Sequence, residues 1–252
     1  MSIHDTSSTN ELPILVAGAP ALGISLSPKQ IEKFAIFQRE LLDWNQRMNL
    51  TAITAPEDVQ VKHFLDSLTV LEALPTDVRK GEQTAKLIDV GAGAGLPGIP
   101  LAIALSKLQV TLLEATQKKC RFMEHALTAC DLTNARVACG RAEDLAHQRG
   151  FRGAHDVVVA RAVASLAALA ELCLPFARVG GRMIAPKKLG IDSEVASASR
   201  ALQILGGKLD PPVVVRLPIV GEERQLIVVE KVRPTPPAYP RRSGVPAKQP
   251  LS

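Results

Sequence analysis

The stretch KLIDVGAGAGLPGIPLAIAL, Lys86 to Leu105, constrains this chain more than any other. Leu87, Ile88, Asp89 and Val90 read as a short buried strand. Gly91, Gly93 and Gly95 follow at alternate positions, and an apolar helical run begins near Gly98. A strand that ends in a glycine loop and turns into a helix brings its backbone against a ligand. Glycine is needed where φ is positive or where a side chain would block that approach. The intervening Ala92 and Ala94 keep the loop thin.

Two ligand classes use such loops, and register separates them. Gly93-Ala94-Gly95-Leu96-Pro97-Gly98 matches the dinucleotide fingerprint G-x-G-x-x-G, but that fingerprint begins directly after its strand. Here Gly91 follows the strand at once, giving D-x-G-x-G-x-G from Asp89. That register resembles the first motif of S-adenosylmethionine-dependent methyltransferases. The resemblance implies a loop around the amino-acid end of the cofactor and an acid on the ribose at the end of the next strand. Residues 109–113 form that strand, and Glu114 ends it, 25 residues after Asp89. A nicotinamide dinucleotide loop and a plain strand–helix turn are the alternatives.

The bulk numbers narrow the classes further. A chain of 252 residues with 46% hydrophobic content suits one domain, alone or with an appendage. Its aromatic content is only 3%, so Leu, Val, Ile and Ala are expected to build the core. Cys120, Cys130, Cys139 and Cys173 form no C-x-x-C pair, so neither a metal site nor a disulfide framework is expected. Free buried thiols in a reducing cytoplasm are the expectation. No signal peptide and no membrane span are legible. Residues 231–252 carry Lys231, Arg233, Arg241, Arg242 and Lys248 and no acid, so they hold the entire net charge of +5. A basic segment of this kind suggests an acidic polymer as partner.

Residues 1–26 read as loosely structured. Ser27-Pro28-Lys29-Gln30 is a helix start: Ser as N-cap, Pro at the first position, Gln three after the cap. Ile31, Phe34, Phe37, Leu41 and Trp44 then form one apolar stripe. A second helix is expected from Pro56 to about Leu74. Together they make an N-terminal helical cap, 27–80, before a core at 81–232. Strands are expected at 86–90, 109–114, 135–139, 155–160, 181–186, 211–217 and 225–231. Helices at 99–107, 117–129, 165–177 and 191–205 alternate with them. The pattern implies a mostly parallel α/β sheet whose last two strands form an antiparallel hairpin. Residues 233–252, rich in Pro and basic side chains, are expected to be a disordered tail.

The second helix carries His63, Asp66 and Ser67 on one face, opposite Val61, Phe64, Leu65 and Leu68. That polar trio is either solvated or lines a site. Ligands in such folds sit beyond the carboxyl ends of the strands. Ala142 and Glu143 follow the third strand, Arg161 ends the apolar run DVVVA, and Lys187 and Lys188 follow the fifth strand. Arg161 is the strongest candidate among these, because a charge at that edge follows a buried run.

The ordered set W-N-x-x-x-N-L-T from Trp44, H-x-L-D-S from His63, D-V-G-x-G-x-G-L-P-G-I-P from Asp89 and R-A-x-A-S-L from Arg161 resembles the RsmG (GidB) family. The likeness runs from about Leu22 to Lys231. It implies a seven-stranded Rossmann-like class I methyltransferase that methylates N7 of one guanosine, position 527 in the usual numbering, in 16S ribosomal RNA. S-adenosyl-L-methionine would be the cofactor, held by Asp89, Gly91, Gly93, Gly95, Leu96, Glu114, Ala142, Glu143 and Arg161. Arg161, Asp66 and His63 would serve catalysis, with Ser67 near the pocket mouth. Where the family often shows Asp, this chain has Glu114, longer by one methylene. No metal is implied. The partner would be 16S ribosomal RNA or the 30S subunit, not a membrane, and the enzyme a cytoplasmic monomer. Either Asp66 or Glu143 would stabilise the positive charge that methylation leaves on the guanine.

Overall fold

The computed structural model describes residues 12–161 and 164–251. Its centre is a sheet in the order β3-β2-β1-β4-β5-β8-β6, with β7 also paired to β8. The strands are β1 (Ala85–Val90), β2 (Leu108–Glu114), β3 (Ala135–Cys139), β4 (His155–Val159), β5 (Ala177–Lys187), β6 (Gly207–Leu209), β7 (Val213–Arg216) and β8 (Glu223–Lys231). The pairs among β1 to β5 are parallel, and β8 runs antiparallel to β5, β6 and β7. The expected seventh position is thus filled by two short strands. Asp210, Pro211 and Pro212 separate them, and a proline has no N–H for a ladder bond. Strand order reverses between β1 and β4, which sets the ligand crevice at their carboxyl ends.

Central strands buried on both faces read as apolar runs, and here each face has its own core. On one face the N-terminal helices pack against the Gly98–Ala104 and Gln117–Ala129 helices. Five of the eight aromatic residues gather there: Phe34 and Phe37 meet Phe64 at ring centroids of 5.1 and 5.7 Å, and Trp44 meets Phe122 at 5.7 Å. The other face is covered by the Leu166–Cys173 and Ser199–Leu205 helices.

The helix at Pro28–Asn45 starts as expected, with a reciprocal capping box between Ser27 and Gln30. Gln30 does a second task. Its Nε2 donates to the carbonyls of Ile103 and Ala104, which close the helix behind the glycine loop. The second helical segment spans 56–73, and its middle, Gln60–Leu65, is widened into a π-helical stretch.

Both ends of the chain differ from expectation. Residues 1–11 lie outside the described residues. Residues 12–22 are helical rather than loose, and Leu12, Leu15 and Leu22 are buried. The carboxamide oxygen of buried Gln60 accepts the N–H groups of Ile14 and Leu15, both at 3.1 Å, so the short helix is anchored at its unsatisfied start. The C-terminal segment is not a free tail. Thr235 and Pro246 are buried, and Tyr239 and Leu251 pack against the second core. Low hydrophobicity forbids that segment from folding alone, but a body that supplies buried hydrogen-bond partners removes the obstacle.

Candidate active site

The glycine loop bridges β1 and the Gly98–Ala104 helix, and its N–H groups are mostly spoken for. Gly91 and Ala92 donate to the Leu113 carbonyl at 2.8 and 3.0 Å, and Gly95 and Leu96 to the Ala92 carbonyl at 2.8 and 3.0 Å. Gly93 donates to Glu114 Oε2 at 3.0 Å, and Gly98 to Asp89 Oδ2 at 2.8 Å. A pyrophosphate loop needs several unspent donors. This loop offers a shaped, thin wall instead, which suits the cofactor reading over the dinucleotide one.

The three alternating glycines have different duties. All take positive φ, of 75, 61 and 80°. A Cβ on Gly91 would meet no atom within 4 Å, and one on Gly93 only the Gly91 carbonyl at 3.9 Å, so both face open space. A Cβ on Gly95 would strike Ile99 Cδ1 at 2.4 Å. Gly91 and Gly93 thus border free space, and Gly95 seats the helix. Leu96 is buried beside them.

Asp89 lies beneath the loop, fully buried. It braces Gly98, and its Oδ1 has no partner among the described residues. Burial raises its pKa to about 7, against the opposing pull of the Gly98 N–H. It supports the turn from behind.

Glu114, at the end of β2, accepts from Gly93 with Oε2 and from Thr116 N with Oε1 at 2.8 Å. A carboxylate has about four lone-pair sites, so capacity remains for ribose hydroxyls. Ala142 and Glu143 open the short helix after β3, both nearly buried. Cys139, which pairs with Glu114 across the β2–β3 ladder, is joined by a disulfide to Cys120 in the first turn of the Gln117–Ala129 helix. This corrects the expectation of four free thiols. A separation of 19 residues carries no motif, and only the fold brings the two Cα atoms to 5.9 Å. Cys130 and Cys173 are free and buried, and burial pushes both thiols up, Cys130 to about 12.

The polar trio of the second helix is not a solvated face. His63 and Ser67 are buried along with Val61, Phe64, Leu65 and Leu68. His63 Nε2 lies 2.8 Å from Thr51 Oγ1, which in turn accepts from Ile53 N at 3.0 Å. Asn45 Oδ1 accepts from Leu50 N and Thr51 N at 2.8 and 3.0 Å. The W-N-x-x-x-N-L-T segment is thereby tied to His63. Burial, then the charge of Arg161, lowers the His63 pKa to about 4, so the imidazole is neutral at pH 7. Ser67 Oγ is buried with no partner among the described residues.

Arg161, just beyond β4, donates through Nη1 to Asp66 Oδ2 at 3.0 Å. Arg224 Nε sits 3.6 Å from the other oxygen, Asp66 Oδ1, and Arg224 Nη2 pairs with Glu222 at 2.6 Å. Arg224 went unnoticed in the sequence. Because β8 is reversed, its first residues reach the carboxyl edge of the parallel strands, as the Lys187–Gln225 pairing shows. A hairpin placed at the end of the sheet was the available signal. Lys187 is structural: its Nζ donates to the Ala164 carbonyl and Glu194 at 2.6 and 2.9 Å.

Known structures share this architecture. An O-methyltransferase from Bacillus cereus, solved in complex with SAH, superposes with a TM-score of 0.51 at 20% identity, over 77% of this chain and 90% of that one. A predicted O-methyltransferase from Agrobacterium tumefaciens gives 0.50 at 18% identity, over 68% and 81%. The sheet order and the glycine-loop edge thus define the Rossmann-like fold of class I methyltransferases. At the sequence level, the family model described as GidB, rRNA small subunit methyltransferase G, matches residues 30–226. The ribosomal RNA small subunit methyltransferase G of Dehalococcoides mccartyi is 47% identical over 237 residues, 94% of this chain and 98% of that protein. The protein of the same name from Roseiflexus sp. is 45% identical over 240 residues, 95% and 100%. This chain belongs to the GidB family.

Proposed function

We propose that this chain transfers the methyl group of S-adenosylmethionine to N7 of a guanosine in 16S ribosomal RNA. The observation that carries the cofactor assignment is the cradle. Gly91 and Gly93 face open space beside the strand-end carboxylate of Glu114, while most of the loop amides are satisfied from within. The ribosomal substrate is supported by membership of the family and by the names of relatives from three genera, including Bacillus thuringiensis at 43% identity.

S-adenosylmethionine, when bound, supplies a methyl group activated on a sulfonium sulfur. Guanine N7 has a free lone pair at neutral pH, so no side chain has to remove a proton. The chain's own task is alignment and water exclusion, a proximity effect of up to ~7–11 kcal/mol. Gly91, Gly93 and Leu96 wall the amino-acid end, Glu114 takes the ribose, and Ala142 with Glu143 takes the adenine. Neutral His63 positions the Asn45–Thr51 segment rather than exchanging protons. Asp66 has an arginine on each oxygen, so its charge is committed to orienting Arg161 and Arg224. Those two guanidiniums then face an anionic, electron-rich RNA substrate. Among the candidate carboxylates this leaves Glu143 the less compensated by cations.

Calorimetric titration with both cofactors tests the assignment. S-adenosylmethionine should bind in the micromolar range, ~−7 to −8 kcal/mol, and NAD should not bind. Binding of NAD without binding of S-adenosylmethionine would overturn it.

A further inference from the structure

After β8 the chain turns back across the second core and reaches Glu143, just past the carboxyl end of β3. Four anchors hold it. Lys231 Nζ, almost wholly buried, donates to the Leu205 carbonyl at 2.8 Å and to Thr235 Oγ1. Arg152 spreads its guanidinium over carbonyls of both segments: Ala146 at 3.1 Å, Tyr239 and Thr235 at 2.9 Å, and Pro236 at 3.0 Å. His147 Nε2 meets the Pro240 carbonyl at 2.9 Å. Arg241 grips Glu171 with Nε at 2.9 and 3.1 Å and Nη2 at 2.7 Å, and adds its own backbone N–H at 2.8 Å.

Glu171 shows that the body is built to receive this segment. It sits with no exposed surface in the otherwise apolar helix LAALAELC, and among the described residues its hydrogen bonds all come from Arg241. A buried carboxylate is retained when it is paired. Beyond Arg241 the chain reaches Gly244, whose φ of +81° is left-handed. Its N–H donates to Glu143 Oε1 at 2.8 Å. A Cβ there would touch nothing within 4 Å, so glycine serves the backbone turn, not space.

We propose that the C-terminal segment 233–251 is a positioning element of the cofactor site, fixing the Glu143 carboxylate through the Gly244 N–H. This rests on the reading of Glu143 as an adenine-end residue. The bond engages one carboxylate oxygen and orients the other. A carboxylate held this way is an acceptor ready for an exocyclic amine. The segment therefore sets cofactor affinity. The segment lies against the body rather than extended, because Arg241 is committed to Glu171 and Arg152 holds its carbonyls.

Gly244→Pro removes the N–H donor and, because proline cannot hold a φ of +81°, also releases the local turn, while the Arg152 and Arg241 anchors lie upstream of it. Truncation after Val232 combined with Glu171→Gln removes the segment without leaving the Glu171 carboxylate unpaired, and Lys231 keeps the Leu205 carbonyl. In each folded variant, affinity for S-adenosylhomocysteine should fall about tenfold, with an equal loss for 5′-methylthioadenosine, which lacks the amino-acid end. KM for the cofactor should rise while kcat changes little, and the salt dependence of RNA binding should keep its slope. Cofactor affinity within twofold of wild type in Gly244→Pro, together with weak binding by full-length Glu143→Ala, would overturn the positioning role alone. Wild-type binding by Glu143→Ala would overturn the adenine-end reading and the inference with it.

Discussion

Gly91→Ala separates a cradle from a mere turn. The added methyl meets no protein atom within 4 Å, so packing does not oppose it. The cost to folding is the left-handed φ of +75°, worth about 1–2 kcal/mol for a non-glycine residue. In a chain of this size that lowers the melting temperature by about 2–8 °C. Gly95→Ala carries the same backbone strain and also strikes Ile99 at 2.4 and 2.7 Å. Overpacking adds about 1–3 kcal/mol, so it should destabilise roughly twice as much. Binding should rank the other way. The Gly91 methyl occupies the space assigned to the cofactor, and affinity for S-adenosylhomocysteine should drop at least ~100-fold, about 2.7 kcal/mol. Calorimetry gives the affinity and thermal unfolding the stability of both variants. Wild-type cofactor affinity in a folded Gly91→Ala protein would refute the cradle.

Other substitutions probe the charged edge and the buried titrating groups. Arg161→Ala should cut methyl transfer at least ~10²-fold in single-turnover assays while removing one charged hydrogen bond of about 1.5–3 kcal/mol from stability. Near-wild-type transfer would make Arg161 a surface charge. Arg224→Ala should cost less, about tenfold, because Arg161 still holds Asp66 at 3.0 Å; no loss would remove Arg224 from the site. His63 and His155 are both pushed down to about 4 by burial, so the stability they confer as neutral rings is present above about pH 6.5 and lost toward pH 4. Asp89, raised to about 7, acts in the opposite sense and loses its contribution as pH rises from about 4 to 7. Denaturant titrations should therefore show a net fall in stability on acidification from pH 7 to 5, steeper in Asp89→Asn; a shallower fall in that variant would reverse the assigned sign.

Strands and helices of the core were legible because their apolar runs and glycine stops are local. The Gln117–Ala129 helix and β3 appear at their expected bounds. The capping box at Ser27 is likewise a pattern of four residues. What stayed hidden is what only tertiary contact creates. The Cys120–Cys139 bridge needs β2 and β3 side by side. Arg224 reaches the site only because β8 is reversed. Helical periodicity placed His63 and Ser67 on a polar face, yet surrounding elements bury both. The C-terminal segment reads as disordered by composition, since its order is supplied by Arg152 and Glu171, residues far away in sequence. Asp89 matched the motif, but a motif cannot tell a residue that touches a ligand from one that braces the loop behind it.

The central claim is methyl transfer to one guanine N7 of small-subunit ribosomal RNA. The direct measurement incubates the purified full-length chain and tritiated S-adenosylmethionine with 16S RNA or 30S particles from cells lacking the corresponding gene. The label is then mapped by cleavage at N7-methylguanosine. A single labelled guanosine, absent with Arg161→Ala and absent from RNA of cells that carry the gene, is the predicted result. Label on a different atom or base, or none in either substrate with a protein shown to bind the cofactor, would contradict it.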